Sequence, residues 1–156
     1  INSTPDSDKT GRHVDLYRDR NGWRFPSLPA RLAGDFGWAL PDRQQVMLNW
    51  RSGWTHIPYV DLYLDSQRQH PLRAANELRG KIVIIGTAAP GLQDLRPTPL
   101  SSSYPGVEVL ATGIDNLHRG DWLREVPRQW MAPLALLLIG LFAVGFGRAS
   151  KAAAIG

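Results

Sequence analysis

Apolar and polar residues alternate from His13 to Tyr17, with Val14 and Leu16 on one side, which is the period of a strand. Asn21-Gly22 follows, and Trp23-Arg24-Phe25 resumes the alternation; this pairing predicts a hairpin. Ser27 is a helix cap with Pro29 in the first turn, and Leu28, Leu32, Ala33 and Phe36 share one face up to Gly37. Residues 45–50 read as a strand with Val46, Leu48 and Trp50 on one side. Residues 59–64 suit a short helix, with a strand as the alternative, and 65–77 a polar surface loop or frayed helix. The four consecutive β-branched residues Ile82, Val83, Ile84 and Ile85 predict a strand buried on both faces, the signature of a parallel sheet. A long loop with four prolines follows over 87–106, then a helix over 107–119. Its stripe is Val107, Leu110, Ile114 and Leu117, and Gly120 stands at its C′ position. The expected fold is α/β: a sheet around 81–86 with flanking helices from 27–37 and 106–119.

Residues 131–147 carry no charge. From Trp130 to Gly147 a helix rising about 1.5 Å per residue reaches roughly 27 Å, enough for a thin hydrocarbon core. The expectation is one transmembrane helix over 130–147, with Trp122 and Trp130 at one interface and Arg148 and Lys151 at the other. The organisation that follows is a mobile leader at 1–11, an extracytoplasmic domain at 12–129, the helix, and a cytoplasmic turn at 148–156. Both ends look cut, which reads as a fragment of a longer protein.

Charge narrows the functional classes. The chain holds 18 Lys+Arg against 14 Asp+Glu, a net charge of +4. Up to residue 129 the excess is only +2, and no basic run tracks a phosphate backbone, so nucleic acid is not an expected partner. There is no cysteine, which removes disulfides and thiolate chemistry. His13, His56, His70 and His118 lack ligand spacing for a metal, and no pair of carboxylates or Ser-His-Asp order stands out as catalytic. Neither a catalytic residue nor a cofactor is expected.

Three stretches carry a resemblance. The first is Leu78-Arg79-Gly80-Lys81-Ile82-Val83-Ile84-Ile85-Gly86-Thr87-Ala88-Ala89-Pro90-Gly91-Leu92. The second is Asp94-Leu95-Arg96-Pro97-Thr98-Pro99-Leu100 running on to Tyr104-Pro105-Gly106-Val107-Glu108-Val109. The third is Ala111 to Leu117 with Gly120. Together with Phe25-Pro26-Ser27-Leu28, they make residues 12–147 similar to the type-2 CHASE domain, a sensory extracellular domain of bacterial receptors. The resemblance implies the C-terminal half of such a sensor with its membrane exit in the bacterial inner membrane. It also implies a periplasmic or extracellular face, a homodimeric receptor, and a cytoplasmic nucleotide cyclase, histidine kinase or Ser/Thr kinase output outside this fragment. The fragment itself is then not an enzyme, although the whole protein can be a cyclase or sensor kinase. The runner-up is a membrane-anchored envelope assembly module that binds another protein without signalling.

Ligands of open α/β sheets sit beyond the carboxyl ends of strands. Candidate residues for a small-molecule or protein ligand are therefore Thr87, Asp94, Arg96 and Thr98 in the proline-rich loop, and Glu108 in the first turn of the helix. Each also has a plain structural explanation: an Asp94–Arg96 pair fixing the loop, or a Glu108 carboxylate favoured by the helix dipole.

Overall fold

The structure is a computed structural model that describes residues 4–87 and 94–153, with side chains described up to Phe146 apart from Arg128. The chain divides into two units, Ile1–Leu123 and Arg124–Gly156.

In the first unit, β1 (His13–Asp15) pairs antiparallel with β4 (Gln45–Met47), setting Val14 opposite Val46. β2 (Tyr17–Arg20) and β3 (Trp23–Pro26) form the hairpin expected from Asn21-Gly22. Both turn residues have positive φ, 52° and 80°, the backbone that a tight two-residue turn between twisted strands demands. Helix α1 (Leu28–Asp35) starts at Ser27, whose buried Oγ accepts from the Ala30 N–H. It ends where Gly37 turns left-handed. Its buried face is Pro29, Ala30 and Ala33, whereas Leu28 and Phe36 face outward. The small residues turn inward because α1 packs directly on the long helix α3 (Gly106–Arg119). On α3, Gly113 leaves room for Val14 and Pro29.

The core joins two separated parts of the chain. Val14, Leu16, Ala30, Ala33, Val46 and Leu48 come from the first part, and Tyr104, Val109 and Leu117 from the second. α3 buries Val109, Thr112, Gly113, Ile114, Asn116 and Leu117. The expected stripe is thus right at Ile114 and Leu117, while Val107 and Leu110 are only half-buried. Gly120 closes α3 in the left-handed conformation, its N–H on the Asn116 carbonyl. Helix α2 (Tyr59–Ser66) forms where the short helix is expected. In its last turn, Asp65 is buried and accepts from the Leu72 and Arg73 backbone N–H groups, which hold its carboxyl below its ordinary pKa. Two short strands, β5 (Leu95–Arg96) and β6 (Tyr104–Pro105), pair within the proline-rich stretch. Residues 88–93 of that expected loop, like residues 1–3 and 154–156, lie outside the described residues. Residues 6–13, mostly within the expected leader, carry ion pairs from Arg12 to Asp6 and Asp8, and the His13 ring contacts the Asp6 carboxylate.

The expected parallel sheet is absent from the described residues. Residues 81–86 form no strand, and Ile82, Val83 and Ile85 are exposed. The sheets among the described residues are three separate antiparallel pairs. A β-branched run favours extended backbone, but a strand exists only through its neighbours, and no described segment pairs with this one. The fold is therefore mixed α/β, with small antiparallel sheets and four α-helices among the described residues.

The second unit holds a 3-10 turn (Arg128–Trp130) and helix α4 (Met131–Ala153). The large apolar side chains described on α4, from Met131 to Phe146, are exposed. The expected transmembrane helix is a correction in part. The segment is helical, but no helix among the described residues is long and apolar enough to cross a membrane. The uncharged run 131–147 ends at Arg148, short of the roughly 20 residues a span usually takes.

Candidate functional site

Helix α3 has two working faces. One is buried in the core; the other carries Glu108, Ala111, Asp115 and His118, spaced three and four residues apart so that they line up along the helix. This second face is one wall of a cleft of about 950 Å³, at the upper end of the size usual for small-molecule sites, roughly 300–1,000 Å³. A second wall is made by residues 80–86. Ile82 and Ile84 line the cleft while Val83 and Ile85 do not, the alternation that an extended backbone imposes. Gly86 lies directly against Val107, so the segment meets α3 there. Trp54, Thr55 and His56 close one side, and Phe36 and Trp38, beyond the end of α1, another. Trp38 stacks on Phe36 at 5.3 Å between ring centres and tilts against His118 at 4.8 Å.

The charged groups of the cleft differ in whether a cationic side chain stands against them. Asp115 is held by Arg119 Nε at 2.8 Å and by Arg51 Nε at 3.2 Å, and Arg51 also pairs with Asp121. The Asp115 carboxylate raises the Arg119 pKa above its ordinary value. Glu108 has a side chain only 15% exposed, and its nearest described cationic candidate is the exposed His56 ring, Nε2 at 3.4 Å. Behind it stands Tyr104, buried and T-stacked on Trp50, whose hydroxyl donates to the Arg51 carbonyl at 3.1 Å. Burial pushes the Tyr104 pKa up to about 12; the Glu108 carboxylate adds to the rise, and Trp54 offsets part of it.

One of the four tyrosines should therefore ionise late. Because its folded pKa lies above its unfolded value, the stability it contributes is complete below about pH 10. That contribution falls as the pH rises toward 12. An ultraviolet absorbance titration of the folded protein should show this late step, and Tyr104→Phe should abolish it. A late step that survives in Tyr104→Phe assigns it to another tyrosine.

Of the residues singled out in the sequence, Glu108 alone lines the cleft. Thr87 is exposed just past Gly86. Asp94 and Arg96 face one another at 3.7 Å, and the Asp94 carbonyl accepts from Gly106 N–H at the start of α3. Thr98 is buried, with Oγ1 accepting from the Leu100 and Ser101 N–H groups and donating to the Ser101 carbonyl. These three residues organise the β5–β6 hairpin and do not line the cleft. Sequence reasoning passed over His56, Asp115, His118, Trp38 and Trp54 as site residues. The signal for three of the cleft's groups was present in the 3-4-3 spacing of Glu108, Ala111, Asp115 and His118, which marks a second, mixed face on α3. Among the described residues no group of acidic residues and histidines could hold a metal ion.

The molecule is thus a mixed α/β module with an aromatic-walled cleft along one helix. The CHASE2 domain model matches residues 1–145, and the chain belongs to the CHASE2 family. CHASE2 domains are extracellular sensory domains, generally of signalling receptors, and sense rather than catalyse. The match begins at residue 1 and runs well into α4. No curated protein and no solved structure matches the chain.

Proposed function

We propose that residues 12–123 are the extracytoplasmic sensing part of a bacterial receptor, that α4 attaches it to the membrane, and that the cleft along α3 receives the signal. The output is a cytoplasmic nucleotide cyclase or a histidine or Ser/Thr kinase carried elsewhere in the protein. The observation that carries this reading is the double role of α3. Its inner face is core, its outer face is cleft wall, and the chain leaves it through Gly120 toward α4. A ligand held between residues 80–86 and α3 changes the packing of a helix that leads in sequence to the membrane attachment. It shifts the receptor only by its different affinity for the two states. The uncharged run 131–147 and the exposed apolar side chains of α4 support the attachment.

The test is Ala111→Trp in the intact receptor, which fills the cleft from the α3 side. With unchanged receptor level in the membrane fraction, the cyclic-nucleotide or phosphorylation output is expected to change by about fivefold or more, the low end of ordinary coupling energies. An unaltered output overturns the cleft as the sensing site.

A further inference from the structure

We propose that the cleft takes an organic cation with an apolar body, its charge against Glu108 and its body against the Phe36–Trp38 wall. The inference rests on the reading of the cleft as the sensing site and names the class of ligand. The charged and titratable groups lining the cleft are Glu108, Asp115, Lys81, His56 and His118. Asp115 is already neutralised by Arg51 and Arg119. Lys81 lies on the exposed segment, where a flexible side chain keeps its ammonium in water. Glu108 is different. It is largely withdrawn from water, and the groups beside it are the solvent-facing ring of His56 and the Tyr104 hydroxyl, with no Arg or Lys partner among the described residues. A carboxylate so placed faces the cleft without a fixed cation of its own, and a bound cation fills that place.

The surroundings select the rest of the ligand. The cleft is walled by Ile82, Ile84 and aromatic rings. Aromatic faces attract cations as well as apolar groups, and tryptophan does so best. A small inorganic cation gains nothing from such walls and finds no set of oxygen ligands here. A weakly hydrated cation such as a quaternary ammonium gains from both the carboxylate and the rings.

The probe is benzyltrimethylammonium, titrated against the full chain in detergent micelles with the cleft tryptophans as fluorescent reporters. Its neutral isostere, neopentylbenzene, is the control. Saturable binding of the cation is expected, about tenfold tighter than the isostere and about tenfold weakened in Glu108→Gln, the effect of losing one partly desolvated charge contact. Glu108→Asp, which keeps the charge, should retain more binding than Glu108→Gln and guards against a folding defect in the latter. Equal binding of cation and isostere, indifferent to Glu108→Gln, overturns the cation and leaves the cleft as the sensing site. No saturable binding of either probe overturns the inference. The cleft as sensing site then stands or falls separately on the Ala111→Trp output.

Discussion

Asn116→Ala is expected to lower folding stability by about 1–3 kcal/mol, since it strands two part-buried backbone groups of Asn49 and water recovers some of that cost. Asn116 is fully buried on α3. Its Oδ1 accepts from the Asn49 N–H at 2.8 Å, and its Nδ2 donates to the Asn49 carbonyl at 3.1 Å. The side chain thus replaces a neighbouring strand for the chain just after β4. Other links gather at the same place: the Leu123 N–H donates to the Met47 carbonyl at 3.0 Å, and Arg51 reaches Asp115 and Asp121. Denaturant unfolding followed by tryptophan fluorescence measures the loss. A change below about 1 kcal/mol means that water satisfies Asn49 instead, and that Asn116 is not the tie described.

Gly86→Ala should separate residues 80–86 from α3. A methyl group at position 86 falls 2.6 Å from both Cβ and Cγ2 of Val107. Val107 is β-branched in a helix and cannot rotate away cheaply, so the extended segment moves. Overpacking of this kind costs about 1–3 kcal/mol. The decisive measurement is a double-mutant cycle with Val107→Ala, which clears the space. Gly86→Ala should be much less harmful in that background, with a coupling of at least about 1 kcal/mol. Additive effects would show that the two residues do not touch in solution and that the cleft lacks this wall.

The sequence was most legible where a local rule has little competition. Asn21-Gly22 dictated its turn, Ser27 its cap and Gly120 its helix end, and each stands where expected. It misled at residues 81–86, because β-branched composition reports a preference for extended backbone and not the presence of a partner strand. On α1, periodicity chose the large residues Leu28 and Phe36 for the interior, whereas the close approach of α3 admitted only the small ones. The candidate site was half visible for a similar reason. Glu108 could be picked out from its place in the first turn of a helix. His56, Trp38 and Trp54 join it only through tertiary packing of segments dozens of residues away, which no spacing encodes.

The two-part core also sets an order of events during synthesis. Leu48 is the last residue of its first part and Tyr104 the first of its second, 56 positions later, and no described residue between 51 and 103 belongs to it. At about 5–20 residues per second, the nascent segment that will form β1, α1 and β4 waits about 3–10 s for its other half. During that interval Val14, Leu16 and Leu48 have no finished interior to enter, so a holding chaperone has its longest opportunity there. Evolution, for its part, can lengthen the excursion between the halves cheaply, since each doubling of a flexible connection costs only about 0.6 kcal/mol.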